Sequence, residues 1–454
     1  MTKNSTTVNV RELAMEALLM VFEEKKTSSE VLGGILKKYQ YLPKQDRAFL
    51  SRLSEGTMEC AIELDFIINQ FSKVKVKKMK PVIRTVIRMG TYQILYMDQV
   101  PDSAACNESV KLAERKGFRN LKGFVNGVLR NISRNKDSLT YPDPKKDLSA
   151  YLSVKYSMPQ WLVDMWLTDY KQADVEKMLA SFIEESETTI RVNTRKTDMQ
   201  AYRKLLSEAG IEVSNGNYVK EALHIKKYNY INTVPGFSEG MFTVQDESSM
   251  LSVLCAGIQE GMDILDVCAA PGGKSLFAAW LLNGTGSIMA CDVSEYKTAR
   301  IEENAKRLGY ENLVTKVKDA TVLDSTLVGT KDLVIADVPC SGLGVIGKKP
   351  DIKYNCTKEG INNLVEVQRA ILANVQEYVK ENGVLMFSTC TVCEQENMEN
   401  VFWFLENFSF ELESITPYLP DELCGESTDA GYLKLLPGIH KTDGFFVARF
   451  RKRK

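Results

Sequence analysis

Along the first third of the chain, apolar residues recur every three or four positions. Val10, Leu13, Ala14, Ala17, Leu18 and Val21 fall on one helical face. Val82, Val86, Met89 and Gln93 mark a second face, with Ile83, Ile87 and Ile94 beside it. Val110, Ala113 and Glu114 open a stretch that Gly117 stops, and Phe124, Val125, Val128, Leu129 and Ile132 form the last one. This pattern predicts an all-α bundle of six or seven helices over residues 1–140. Tyr141-Pro-Asp-Pro-Lys-Lys breaks the period and reads as a linker. From 141 to 240 the pattern is mixed: Ile190–Asn193 reads as strand, Ala201–Ala209 as a helix ended by Gly210, and Val234-Pro-Gly-Phe closes a small α+β connecting domain. From 241 to 454 short apolar runs (Ile264–Val267, Ser287–Ala290, Leu333–Ala336, Val384–Phe387) alternate with helical stretches (Lys274–Leu282, Ser294–Leu308, Leu364–Val379). That alternation predicts an α/β, Rossmann-like domain around a mostly parallel sheet, with ligands at the carboxyl ends of its strands.

Composition narrows the function classes. With 44% hydrophobic and 26% charged residues, the chain can bury ordinary globular cores. The opening Met1–Thr7 is polar and lacks the apolar centre of a signal peptide. No apolar run approaches the roughly 18 residues of a membrane span. A cytoplasmic protein without membrane contact is therefore expected, and it is taken as a monomer. Ten scattered cysteines make no disulfide framework and suit a reducing compartment. Only two histidines, His224 and His440, are present, which disfavours imidazole triads and His-rich metal sites. Chemistry then falls to Cys, Asp and Lys, and no metal is expected. The net charge of −1 hides an imbalance: residues 1–140 carry 24 Lys and Arg against 15 Asp and Glu, the remainder 34 against 44. A basic first third suggests a polyanionic partner, with nucleic acid foremost. The run Lys73-Val-Lys-Val-Lys-Lys-Met-Lys80, lying between helical stretches, is a candidate phosphate-contacting loop.

Two features carry chemistry. In Ile264-Leu-Asp-Val-Cys-Ala-Ala-Pro-Gly-Gly-Lys274 a strand passes into a helix, and Gly272 and Gly273 let the backbone approach a ligand at the helix N-terminus. Asp292 follows the next strand, where an acidic residue can hold ribose hydroxyls. The segment fits neither G-x-G-x-x-G nor the P-loop pattern, which disfavours a dehydrogenase or an NTPase. The second feature is a pair of cysteines. Cys340, in Asp337-Val-Pro-Cys-Ser-Gly342, and Cys390, in Ser388-Thr-Cys-Thr391, each follow a predicted strand and should emerge at the same sheet edge. Cys390 and Cys393 also form a C-x-x-C, the spacing of redox and zinc sites, but no second ligand pair accompanies it. Two thiols suit methylation of a pyrimidine carbon. A thiolate adding to C6 of cytosine makes C5 nucleophilic, and a second group can assist release once the C5 proton has gone. The residues alone leave open which thiol attacks. Lys274 could help to lower the nucleophile's pKa.

Several segments resemble known families. Val100–Glu114 and Phe124–Arg130 resemble the RNA-binding domain of the NusB transcription antitermination family. Asp266–Lys274, Asp337–Ser341 and Ser388–Thr391 resemble the RNA cytosine-5 methyltransferases, and the order of domains resembles the Sun/Fmu (RsmB) family, which methylates cytosine C5 in 16S rRNA. The resemblance implies S-adenosyl-L-methionine as cofactor. Cys268, Ala269, Ala270, Pro271, Gly272, Gly273 and Lys274 would line its methionine and ribose side. Asp292 would hold the ribose hydroxyls, Asp319 would lie near the adenine, and Asp337 near the methyl donor. It further implies Cys390 as nucleophile and Cys340 as the residue aiding release. Lys348, Lys349, Lys353 and Tyr354, in a matching Lys-Lys-Pro-Asp-Ile-Lys-Tyr segment, would grip the RNA backbone and stack a base. Alternatives with the same residues are a tRNA or 23S rRNA cytosine-5 methyltransferase, or a non-catalytic RNA-binding or antitermination factor.

Overall fold

The computed structural model describes residues 8–184 and 187–454, so the polar opening Met1–Thr7 lies outside the described residues. Two compact units form, one within Met1–Glu184 together with Ile346–Asn355, the other within Glu185–Val345 together with Cys356–Lys454. No helix among the described residues is long and apolar enough to cross a membrane.

In the first unit, seven helices occupy the predicted bundle: α1 (Val10–Phe22), α2 (Ser28–Lys38), α3 (Lys44–Glu59), α4 (Ala61–Phe71), α5 (Pro81–Tyr96), α6 (Asp102–Arg115) and α7 (Lys122–Arg134). Local chemistry sets several starts. The Asn9 side chain accepts from the Glu12 N–H ahead of α1, Thr27 does the same for Glu30 ahead of α2, and Pro81 stands at the first position of α5. α5 is the centre, burying Ile83, Val86, Ile87, Met89, Tyr92 and Ile94 against α1, α3, α4, α6 and α7. A Cβ at Gly56 of α3 would overlap the Tyr92 ring, so the two helices approach closely only with glycine there. Three more helices follow, α8 (Leu148–Lys155), α9 (Gln160–Asp169) and α10 (Gln172–Ser181). Ser157 Oγ, between α8 and α9, accepts from the Ile62 and Glu63 N–H groups of α4.

The later segment Ile346–Asn355 completes this unit. The last carbonyls of α3 are among the groups a helix leaves unsatisfied. Lys353 Nζ donates to Glu59 O at 2.7 Å and Tyr354 Oη to Met58 O at 2.6 Å, capping α3 from almost 300 residues away. A cation at a helix C-terminus is also favourably placed in the helix dipole. Ser28 Oγ donates to Asp351, and the Tyr354 ring meets Phe22 edge-on at 5.2 Å.

In the second unit a small antiparallel sheet, β1 (Thr188–Val192), β2 (Glu212–Asn215), β3 (Ala222–Lys226) and β4 (Phe242–Val244), runs in the order β2-β3-β1-β4. Tyr202 and Leu206 of the helix Met199–Glu208 pack into its core with Ile190, Val192, Leu223 and Phe242. The stretch expected as one connecting domain thus contributes α8–α10 to the first unit and β1–β4 to the second.

The large sheet comprises β5 (Asp263–Asp266), β6 (Ser287–Asp292), β7 (Leu313–Val317), β8 (Lys331–Asp337), β9 (Val379–Thr389), β10 (Phe410–Leu412), β11 (Tyr432–Leu435) and β12 (Phe445–Lys452). Its order is β10-β12-β9-β8-β5-β6-β7, with β11 also pairing with β12. β5 to β9 are mutually parallel, and β12 is antiparallel to β9. Alternate strand residues feed two cores, Ile264, Ile288, Leu333 and Met386 on one face, Leu265, Val334, Ala336 and Phe387 on the other. From β5 the chain winds outward through β6 and β7, then crosses back to β8 and β9. That reversal opens a crevice at the strands' carboxyl ends.

Candidate active site

Five strand ends meet at this crevice. β5 ends in buried Asp266, whose Oδ2 accepts from Ser275 Oγ at 2.5 Å while Oδ1 accepts no hydrogen bond. Burial raises this carboxyl to about 7. The turn beyond it is pinned by Val267 N–H to Ile335 O (3.0 Å), Ala269 N–H to Cys291 O (2.8 Å) and Gly272 N–H to Ala269 O (2.7 Å). Gly272 has φ +104°, which side chains disfavour, and a Cβ there would lie 3.1 Å from Ile301. The helix Gly273–Leu281 starts directly after this turn, with no side chain capping its first N–H groups.

β6 ends at Asp292, only 6% exposed. Its Oδ2 accepts from Ala270 N–H at 3.3 Å, and Oδ1 accepts no hydrogen bond, with the Lys297 ammonium 3.4 Å away. A buried acceptor oxygen left over beside a glycine turn suits a ligand that brings hydroxyl groups, as a ribose does. After β7, exposed Asp319 accepts from Thr321 N–H and Oγ1, which hold its carboxyl below the usual range. Asp319 and Ala320 line a cleft of about 290 Å³ with Val267, Cys291, Leu327 and Tyr378. The residues present therefore fit a nucleoside-bearing cofactor.

β8 ends at Asp337, and both of its oxygens are engaged. Oδ2 is 2.7 Å from Lys274 Nζ and Oδ1 accepts from Ser388 Oγ at 2.7 Å. Lys274 also lies 5.0 Å above the Phe445 ring. The expectation that Lys274 activates a thiol is corrected here: its charge is committed to Asp337. Cys268, on the turn, is pushed up by burial and by the carboxylates of Asp266, Asp337 and Asp292.

The two cysteines sit past β8 and β9, with Cys340 Sγ 3.4 Å from Cys390 Sγ and both partly exposed. Gly344 N–H donates to Cys390 O at 3.0 Å, joining the two loops. The Cys340 thiol is held well above its usual range, first by its hydrogen bond to Cys390, then by burial. Cys393 of the C-x-x-C is fully buried, and among the described residues no group of three or more His, Cys, Asp or Glu could hold a metal. The histidines lie elsewhere: His224 faces Glu247 at 3.2 Å, and His440 Nδ1 accepts from Leu436 N–H.

Two further expectations change. Lys353 is 3% exposed and Tyr354 is packed into the first unit, so neither is offered to RNA. Burial lowers the Lys353 ammonium to about 8. Lys348 and Lys349 remain on the surface. Motif and spacing did not point to Glu396, Asn397 and Gln368, which tie the cysteine loops together from behind; the polar run Glu394-Gln-Glu-Asn397, beginning four residues after the strand-end Cys390, was the available signal.

Known proteins resemble this chain along its whole length. The family described as NusB matches residues 8–134, a ferredoxin-like domain of RsmF/B-like methyltransferases matches 158–232, and 16S rRNA methyltransferase RsmB/F matches 253–451. A probable ribosomal RNA small subunit methyltransferase B of Bacillus subtilis is 34% identical over 98% of this chain and 99% of its own. The chain belongs to the RsmB/F family. A ribosomal RNA small subunit methyltransferase B of Cronobacter sakazakii is 31% identical, again over 98% and 99% of the two chains. The crystal structure of PH0851 matches with a TM-score of 0.82 at 25% identity, over 98% of this chain and 99% of that one. As an RsmB/F member the chain is an S-adenosylmethionine-dependent methyltransferase.

Proposed function

We propose that this protein methylates C5 of a cytosine in 16S rRNA, in the cytoplasm, through a covalent bond between Cys390 and C6 of the base. The observation that carries this reading is the pair of sulfurs 3.4 Å apart at neighbouring strand ends, beside the cofactor turn. S-adenosylmethionine, when bound, supplies an electrophilic methyl group. Cys268 to Lys274 would flank its methionine and ribose, Asp292 its ribose hydroxyls, and Asp319 its adenine.

C5 of cytosine is a poor nucleophile until a thiolate adds to C6 and pushes an electron pair toward C5. The hydrogen bond to Cys390 and burial hold the Cys340 thiol above its usual range. Its S–H can then donate to the Cys390 sulfur and favour the thiolate there, which supports Cys390 as nucleophile. After methylation the C5 proton leaves to a base and the Cys390–C6 bond breaks, restoring the aromatic ring. Cys340, one hydrogen bond from Cys390, is placed to assist that release. Asp337, anchored by Lys274 and Ser388, has lone pairs left to accept from the cytosine amino group. The target base must leave its stack to reach the thiols. The exposed lysines of the Lys73–Lys80 loop, with Lys348 and Lys349, add affinity through phosphates.

C390A should abolish methylation, whereas C340A should accumulate an RNA adduct stable to denaturing electrophoresis. Bisulfite sequencing of 16S rRNA, 23S rRNA and tRNA from a deletion strain should show one lost 5-methylcytosine, in 16S rRNA. Normal methylation by C390A would overturn the covalent role, and a lost mark in tRNA or 23S rRNA alone would overturn the substrate.

A further inference from the structure

Each cysteine is flanked by two residues, Pro339 and Ser341 around Cys340, Thr389 and Thr391 around Cys390. All four are hydrogen-bonded to one polar cluster behind the loops. Ser341 donates to Glu396 twice, from N–H to Oε1 at 2.8 Å and from Oγ to Oε2. Gln368 Nε2 donates to Glu396 Oε1 at 2.9 Å and to Pro339 O at 3.0 Å. Asn397 accepts from Thr389 Oγ1 at 2.6 Å and donates to Thr391 O at 3.0 Å. Ser341 Oγ and Thr391 Oγ1 lie 2.8 Å apart, closing the ring. Asn400 ties the cluster together, donating to Gln368 Oε1 at 2.8 Å and Glu396 O at 3.1 Å.

Glu396, Asn397, Asn400 and Gln368 are each fully buried. A buried carboxylate is costly unless its geometry is well satisfied. Here the donors engaging Glu396 are two groups of Ser341, one of Gln368 and the Thr391 side chain, so the carboxylate grips the residue after each cysteine. Its charge also disfavours ionisation of the Cys340 thiol.

We propose that Glu396, with Asn397 and Gln368, is a positioning residue that holds the Cys340 thiol against the Cys390 sulfur for the release half of the reaction. This rests on the covalent reading above. Because the cluster grips the neighbours of both cysteines, the sulfur–sulfur distance is set by these buried side chains and not by the strand ends alone. Loosening it should leave first attack possible and slow the departure of the enzyme from its product.

The test compares Glu396→Gln and Ser341→Ala with wild type and with C340A. Glu396→Gln keeps the size of the side chain but loses an acceptor for the Ser341 hydroxyl. It should lower kcat by about tenfold to a hundredfold, the scale of a small misplacement in an active site. KM for RNA and S-adenosylmethionine affinity by calorimetry should change by less than about twofold, the interactions they report being elsewhere. The RNA adduct should accumulate, as in C340A. Ser341→Ala, which keeps its N–H bond, should do the same more weakly, by about threefold to tenfold, as for one hydrogen bond. Wild-type turnover without adduct in both variants would overturn the proposal. So would a kcat loss without adduct that tracks lost cofactor affinity and a lower melting temperature, since that is a merely structural role. If C340A itself traps no adduct, the covalent reading fails; if C340A traps it and both other variants do not, only the positioning role fails.

Discussion

Lys73–Lys80 and Lys348–Tyr354 are both lysine-rich and both belong to the helical unit, yet they end differently. In the first, Lys73, Lys75, Lys77, Lys78 and Lys80 are exposed while Val76 and Met79 are buried. The two apolar residues anchor the loop and leave all five lysines exposed, the Lys80 ammonium 5.4 Å above the Phe118 ring. In the second, Lys348 and Lys349 stay outside, but Tyr354 inserts beside Phe22, and Lys353 follows it onto the α3 terminus. What separates them is the destination of the neighbouring hydrophobe and the presence of unsatisfied carbonyls where it lands. Lysine density therefore marks a surface only where the interior offers the ammonium no acceptor.

The largest test of this contrast is charge reversal. K353E would bury a carboxylate near Glu59 and uncap α3, costing about 3–5 kcal/mol, as when a buried ionic group is left without its partner. The same change at Lys75 should leave the melting temperature within a degree or two. If K353E melts like wild type, Lys353 does not cap α3. The second test exchanges all five lysines of the first loop for Gln. RNA affinity should fall about tenfold to a hundredfold at low salt, and the slope of log K against log salt should flatten by up to roughly 0.7 for each phosphate that is no longer neutralised. An unchanged slope would remove that loop from the RNA interface. The smallest effect is a pH dependence. Lys353 is held at about 8, below the roughly 10.4 of an unfolded lysine. Between these values the unfolded chain binds more protons, so the contribution of this group to stability rises with pH and is lowest below 8. Wild type should thus gain urea resistance relative to K353M between pH 8 and 10; a constant difference would contradict it.

Much of the catalytic unit was legible because its signals are local. Short apolar runs locate β5, β6, β8 and β9, and Gly272 carries its backbone requirement in its identity. Both cysteine loops could be placed at one edge, since parallel strands share a carboxyl end. β7 and the antiparallel strands β10 and β11 were not legible. Leu313–Val317 alternates with exposed residues at a sheet edge, and β10 and β11 are short and gain meaning only by pairing with β12. The pairing of Lys274 with Asp337, the burial of Lys353 and the cluster around Glu396 arise between residues tens to hundreds of positions apart. No spacing along the chain records them.

The cap on α3 also has a consequence in time. At synthesis rates of about 5–20 residues per second, the stretch from the end of α10 to Ile346–Asn355 takes on the order of ten seconds or more to make. Throughout that interval the nascent helical bundle carries an open α3 terminus and an empty slot beside Phe22. Its final closure is thus scheduled by the ribosome, after the Pro-Cys loop has already emerged. A protein severed after residue 184 would keep that vacancy permanently.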